Sequence, residues 1–253
     1  MESIKGLQVC DTLPRGVHVL RAHSVFRHAC NLQTPEGALW VLQTRDVPLS
    51  PGGIIIDHQD LRPFFRPGES VRVDLRHAFA QSTRLVPGGA RVTLGQLTGV
   101  IDDFFALHAA KGVRQALAAD ARLADAQQRL IRWLRTPASD PTPLARAFVG
   151  YGEGLTPAGD DYLLGLLWTL DNWRAVQRQA LAEALPALLP RTTDVSRAML
   201  NHGCESRYGA LLLALAAADI TRLPQAVQGV ARYGHSSGED MLAGIRAAAY
   251  ALA

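Results

Sequence analysis

The hydrophobic period changes once along the chain, at Pro87-Gly88-Gly89, and this constrains the fold more than any other feature. Before that point short apolar runs alternate with turn residues: Val17 to Phe26, Ala38 to Leu42, Ile54 to Ile56 and Val71 to Leu75. Runs of this length and composition read as strands. Between them, Thr34-Pro35-Glu36-Gly37, Pro48 to Gly53 and Arg66-Pro67-Gly68-Glu69 supply the fixed or positive φ of chain reversals. The spacings leave no room for crossover helices, so a small antiparallel sheet or barrel is expected rather than βαβ units. After Gly89 the apolar positions recur every three or four residues. Val113, Leu117, Ala121, Ala124, Ile131 and Leu134 form one stripe, and similar faces continue to the C-terminus. The expected fold class is α+β, with a strand-rich domain at 1–95 and a mainly α-helical domain at 96–253.

Composition narrows the function classes. The chain has 253 residues, 48% of them hydrophobic and 19% charged, which excludes disorder and leaves enough chain for one large domain or two modest ones. Its net charge of +3 is scattered, so nucleic acid is not an expected partner. Cys10, Cys30 and Cys204 are too far apart for a disulfide framework or a CxxC metal pair. The N-terminus, with Glu2 and Lys5, carries no apolar targeting region, and the longest apolar run, Ala210 to Ala218, stops short of the roughly 20 residues a membrane span needs. The expectation is a cytoplasmic protein without a membrane partner.

The chemistry-bearing segments are three. In Gly150-Tyr151-Gly152-Glu153-Gly154-Leu155-Thr156-Pro157-Ala158-Gly159-Asp160-Asp161 a Gly-rich loop enters a helix, with Thr156 as expected N-cap and Pro157 as first helical residue. At least one of Gly152 and Gly154 is expected at positive φ. Such a helix start suits an anion, although a capped helix with Asp160 and Asp161 offsetting its dipole accounts for it equally well. Gly234-His235-Ser236-Ser237-Gly238-Glu239-Asp240-Met241-Leu242-Ala243-Gly244 repeats the pattern: Gly238 aligns with Gly159, Glu239 with Asp160, Asp240 with Asp161 and Gly244 with Gly165. Ser237 and Asp240 are expected to cap that helix. Between them, Thr193 is expected to cap a helix carrying Ser196 and Arg197 in its first turn, with Arg197 available to a carboxylate or phosphate.

Two helix starts of one pattern suggest a shared cleft lined by Asp161 and Asp240, with Asp160 and Glu239 in supporting or capping roles. His235, Asp161 and Asp240 are the catalytic candidates. The substrate-binding candidates are Gly152, Gly154, Thr156, Gly159, Asp160, Thr193, Ser196, Arg197, Ser236, Ser237 and Gly238. No metal site is assigned, since His202-x-Cys204-Glu205 has no recognised ligand spacing, and no cofactor is certain. The four carboxylates are nevertheless able to suit Mg²⁺. Elbow, zinc-protease, kinase and CxxC motifs are missing from the sequence.

These three blocks resemble a bacterial family that includes the AllH-like subunit of oxamate carbamoyltransferase. The likeness lies in residues 150–165, 192–197 and 234–244, in order and spacing, and extends diffusely over most of the chain. Where the family has Gly-x-x-Ser-Glu, this chain has Gly203-Cys204-Glu205-Ser206. The resemblance implies a carbamoyltransferase subunit in ureide catabolism and allantoin degradation. It implies partnership with an FdrA-type acyl-CoA synthetase-like subunit and a third subunit, and transfer of a carbamoyl group between oxalurate and phosphate. Two alternatives stay open: a non-catalytic complex subunit, and an Mg²⁺-dependent hydrolase of a small acyl or amide substrate.

Overall fold

A computed structural model describes residues 3–253; Glu2, used above in reading the N-terminus, lies outside them. The described residues form two compact units, one reaching Arg84 and including Tyr208–Ala210, the other built from Leu85–Arg207 and Leu211–Ala253.

The first unit contains seven strands: β1 (Ile4–Cys10), β2 (Val17–Val25), β3 (Ala29–Gln33), β4 (Leu39–Thr44), β5 (Gly53–Ile56), β6 (Ser70–Asp74) and β7 (Phe79–Gln81). Their order is β5-β4-β3-β2-β6-β1-β7, and a further pairing of β5 with β1 closes six of them into a barrel. Closure removes the exposed strand edges that a small open sheet would present. The alternating inward residues Leu20 and Ala22, Val71 and Val73, and Trp40 and Leu42 fill the barrel with Ile54, Ile56 and Leu75. The barrel is mixed rather than purely antiparallel. β2–β3, β3–β4, β2–β6 and β1–β5 are antiparallel, whereas β4–β5, β1–β6 and β1–β7 are parallel. The segment 45–52 between β4 and β5 is long enough to run back along one strand without a helix, because extended chain spans about 3.3 Å per residue.

Three strands escaped the reading above, for local reasons. β1 is interrupted by Gly6, where its pairing with β5 shifts register. A Cβ there would come within 2.7 Å of the Leu75 side chain, so the strand gives up a side chain to approach the core. β3 has only Cys30 and Leu32 facing the barrel core, too short an apolar pattern to stand out, and Asn31 between them is buried on the opposite face, where its amide donates to Ser24 Oγ at 2.8 Å. β7 has only three residues.

The second unit is helical: α1 (Leu94–Ala106), α2 (Gly112–Ala119), α3 (Ala121–Arg135), α4 (Thr142–Ala145), α5 (Ala158–Asn172), α6 (Gln177–Ala184), α7 (Asp194–Cys204), α8 (Ala210–Ala217, its first residue in the other unit), α9 (Leu223–Ala231) and α10 (Ser237–Leu252). The stripe expected over 113–134 is two helices. Asp120 ends α2 and caps α3 by accepting from the N–H groups of Arg122 and Leu123. The buried face of α3 is Leu123, Ala126, Leu130, Trp133 and Leu134, while Ala121 is exposed, so the break at Asp120 rotates the stripe.

At the centre lie α5 and α10, buried on nearly every side as expected of helices that are apolar all round. Their crossing has no room for side chains at two positions. A Cβ on Gly165 would lie 2.0 Å from the carbonyl oxygen of Met241, and one on Gly244 would lie 2.0 Å from that of Tyr162. In the alignment of the two segments Gly165 matches Gly244 and Tyr162 matches Met241, so the contacts are reciprocal. The sequence repeat is thus a pair of helices related by approximate twofold symmetry about their crossing.

Candidate functional site

The loop before α5 is built from its glycines. Gly150, Gly152 and Gly154 have φ of 73°, 112° and 89°, which L side chains rarely adopt. Gly150 also approaches the backbone of Arg191 so closely that a Cβ would lie 2.5 Å from its carbonyl oxygen, whereas Gly154 faces open space. The loop is fastened at several points. Gly150 N–H donates to Asp160 at 2.9 Å, Gly159 N–H donates to the Tyr151 carbonyl at 2.9 Å, and Tyr151 Oη donates to Asp120 at 3.3 Å. Thr193 Oγ1 donates to the Leu155 carbonyl while accepting from Ser196 N–H at 3.0 Å as the N-cap of α7.

Thr156 does not cap α5. Pro157 is the N-cap, at φ −51° and ψ 139°, and no side chain caps this helix. The Thr156 hydroxyl instead meets the Ser237 hydroxyl at 3.0 Å, joining the two repeated segments. Ser237 likewise is no N-cap: it is the first residue of α10, whose N-cap, Ser236, makes no side-chain cap bond. The amides these hydroxyls would cap have other partners, Gly159 N–H the Tyr151 carbonyl and Asp240 N–H the Ser236 carbonyl. Gly238 N–H donates to the Tyr233 carbonyl at 3.0 Å, the counterpart of the Gly159–Tyr151 bond.

Four carboxylates at these helix starts divide into two roles. Asp160 is wholly buried and accepts from Gly150 N–H, from Ser196 Oγ at 2.7 Å and from Thr192 Oγ1, binding the loop and the start of α7 to α5. Burial pushes its pKa up, while those donors pull it down. Glu239, its counterpart, pairs with Lys111 Nζ at 3.1 Å and Arg114 at 3.2 Å. Arg114 also lies 4.0 Å over the Phe105 ring. These two acids hold helices together.

Asp161 and Asp240 differ in having unmet capacity. Asp240 Oδ1 accepts from Val113 N–H at 2.6 Å, capping α2 from 127 residues away, but its Oδ2 has no hydrogen-bond partner among the described residues. Its pKa is raised to about 6, mainly by burial, opposed by the Val113 bond. Asp161 is fully buried and neither carboxyl oxygen has a partner of ordinary geometry. The hydroxyls of Ser237 and Thr156 are close enough to lower its pKa, and Asp240 and Asp160 raise it. Burial outweighs them all, leaving Asp161 well above the usual carboxylate range. Buried polar groups in folded proteins are nearly always paired, and neither Asp161 oxygen has a hydrogen bond of ordinary geometry among the described residues.

The starts of α2, α5 and α10 therefore meet around Thr156, Asp161, Ser237 and Asp240, and α7 joins through Thr193, Ser196 and Asp160. Two other candidates stand differently. Arg197 is 43% exposed and its guanidinium pairs with Asp194 at 3.3 Å and with the Leu189 carbonyl, not with the carboxyls of α5 or α10, because the first turn of α7 turns it outward. His235 is exposed and its carbonyl accepts from Lys111 Nζ at 2.8 Å. Hollows of about 510 Å³ beside Arg132 and Trp133 and about 290 Å³ beside Asp171 and Arg178 contain none of the candidates. Neither has a buried group waiting for a partner of the kind Asp161 provides.

Sequence reading missed the contribution of α2. Lys111 and Gly112 lie far from the Gly-rich segments, and the only signal was a glycine opening a helix with no local cap. Gly112 has φ of 54°, and a Cβ there would lie 2.1 Å from Asp240 Oδ1. Gly112→Ala is expected to cost about 1–3 kcal/mol of stability by denaturant titration, combining backbone strain with the clash. A loss within about 0.5 kcal/mol would mean that the Asp240 contact yields freely.

Fold and site together define a two-unit α+β protein whose central helix pair starts at a cluster of glycines, hydroxyls and buried acids. The model of the AllH family N-terminal domain matches residues 6–96, and that of oxamate carbamoyltransferase subunit AllH matches residues 148–249. The chain belongs to the AllH family. No curated protein and no solved structure matches it. Among the described residues no helix is long and apolar enough to cross a membrane.

Proposed function

We propose that this chain binds a small anionic acyl substrate, such as oxalurate, phosphate or carbamoyl phosphate, where α2, α5 and α10 begin, as part of an oxamate carbamoyltransferase. The supporting observation is the orphan carboxyl of Asp161 beside the Thr156–Ser237 hydroxyl pair, under a loop held open by Gly152 and Gly154. In the forward reaction a phosphate oxygen attacks the carbamoyl carbon of oxalurate, the bond from that carbon to the oxamate nitrogen breaks, and the nitrogen takes a proton. Negative charge grows on the carbamoyl oxygen, where preorganised donors contribute most. The Thr156, Ser236 and Ser237 hydroxyls and the amides of the Gly152–Gly154 turn are the donors of this reading. Asp160, Thr193 and Ser196 keep the loop in place, and Gly159 and Gly238 let the helix starts approach the carbonyl oxygens of Phe148 and Val230 respectively.

His235, at the exposed edge, supplies or accepts the proton, since an imidazole ring carries both a donor and an acceptor nitrogen. Asp161 and Asp240 contact the reacting group. Arg197 helps only if the outward pair with Asp194 is broken. The FdrA-type and third subunits complete the assembly. An Mg²⁺ hydrolase has less support, because no group of three or more His, Cys, Asp or Glu among the described residues could hold a metal ion.

The test is formation of carbamoyl phosphate from oxalurate and phosphate by the chain alone and with both partner subunits. The expected result is product in the full combination, reduced at least tenfold by Ser237→Ala. No product in any combination overturns the proposal.

A further inference from the structure

Asp161 poses a question of ligand chemistry that goes beyond the binding of an anion. Both its oxygens are fully buried and lack a hydrogen bond of ordinary geometry among the described residues, with only the Ser237 and Thr156 hydroxyls alongside, while each neighbouring acid has at least one well-formed partner: Asp160 three donors, Glu239 two cations and Asp240 the Val113 amide. A ligand carboxylate or phosphate oxygen offers Asp161 only further acceptors. A hard cation would need a larger set of oxygen donors than two acids and two hydroxyls. Burial favours the neutral acid, which carries an O–H donor and a C=O acceptor side by side. The complementary group is a primary amide, whose C=O accepts and whose NH₂ donates with the same spacing, so both partners are satisfied by one pair of bonds.

We infer that the Asp161 carboxyl, with the Thr156 and Ser237 hydroxyls beside it, is the subsite for the terminal CO–NH₂ of the ligand, and that it makes the chain select primary amides over isosteric ketones. This rests on the substrate class proposed above. Oxalurate, oxamate and carbamoyl phosphate all end in CO–NH₂, whereas phosphate does not, so the subsite distinguishes the carbamoyl-bearing ligands from the acceptor. Thr156 and Ser237 are half-buried and bridge the two loops, so the ligand enters as that hydroxyl contact parts.

Oxamate and pyruvate provide the test, since they differ only in NH₂ against CH₃. Calorimetric titration is run on the chain and on the assembly with its partner subunits. The wild type is expected to bind oxamate about tenfold or more tightly than pyruvate, because a desolvated hydrogen-bonding group is left unpaired by the methyl ketone. Asp161→Asn should keep that preference, since a neutral amide offers the same donor and acceptor. Asp161→Ala should abolish it. Equal wild-type affinity for the two ligands overturns the inference, as does loss of the preference in Asp161→Asn, which would show that the charged carboxylate is the binding form. If Asp161→Ala does not fold, the wild-type and Asn results decide. Equal affinity with carbamoyl phosphate still produced overturns this inference alone. Failure to bind either ligand, with no product formed, overturns the proposed function as well.

Discussion

Gly165→Ala is expected to destabilise the helical unit by about 3 kcal/mol or more, a large effect for adding one methyl group. The added Cβ would sit 2.0 Å from the Met241 carbonyl oxygen and 3.0 Å from Ile245 N. Neither atom belongs to a flexible side chain that could swing aside, so the helices must separate. Separation would loosen the packing between two helices buried along nearly their whole length. Gly244→Ala should behave alike, because its Cβ would strike the Tyr162 carbonyl from the other side of the crossing. Gly99→Ala in α1 is the internal control. Nothing lies within 4 Å of its Cβ position, so the gain in helix propensity should stabilise the protein by about 0.5–1 kcal/mol. Urea titrations followed by far-ultraviolet circular dichroism measure all three. A loss below about 1 kcal/mol for both central glycines would show that the crossing is not close-packed backbone.

The helix crossing was legible in the sequence only as a repeat. Two segments with glycine, two acids and a second glycine at matched spacing announced paired helix starts, and the Thr156 and Ser237 hydroxyls of those segments lie 3.0 Å apart. What could not be read was which polar group would turn inward. A threonine or serine before a helix usually bonds to the helix's own amides. Thr193 does so, but Thr156 and Ser237 do not: the Gly159 amide is taken by the Tyr151 carbonyl and the Asp240 amide by the Ser236 carbonyl. Arg197 has the same lesson: a helix face can be counted from sequence, whereas the presence of Asp194 three residues before it decides where the guanidinium goes. In the barrel the strong apolar runs showed themselves. Pairings such as β1 with β6, which join residues near positions 4 and 73, depend on closure of the whole sheet and leave no local mark.

The second large effect expected is a gain in stability on removing a charge. Asp161→Asn should stabilise the protein at pH 8, and the gain should shrink as the pH falls towards 4. The sign follows from proton linkage. Asp161 and Asp240 have folded pKa values above those of the unfolded chain, so between the two values the folded state holds more protons and stability falls as pH rises. The stability these protonated acids confer is complete below about pH 4, the unfolded value, and is lost as pH climbs through the folded values. For Asp240 that loss lies between about pH 4 and 6 and amounts to about 3 kcal/mol. Asp161 is shifted in the same direction, mainly by burial, which outweighs the lowering by the Ser237 and Thr156 hydroxyls, so its contribution extends the decline. Asn cannot ionise and therefore removes the part of the slope due to Asp161. Asp60 and Asp74 act in the opposite sense, with pKa lowered by Arg62 and Arg76 respectively, and their influence is confined to pH below the unfolded value. Parallel urea titrations of the wild type and Asp161→Asn at pH 4, 6 and 8 separate these contributions. A wild type whose stability rises steadily from pH 4 to 8, or an Asn variant that is less stable than the wild type at pH 8, would mean that Asp161 is held as a carboxylate with partners of its own. The amide-binding carboxylic acid would then be the wrong description of the site.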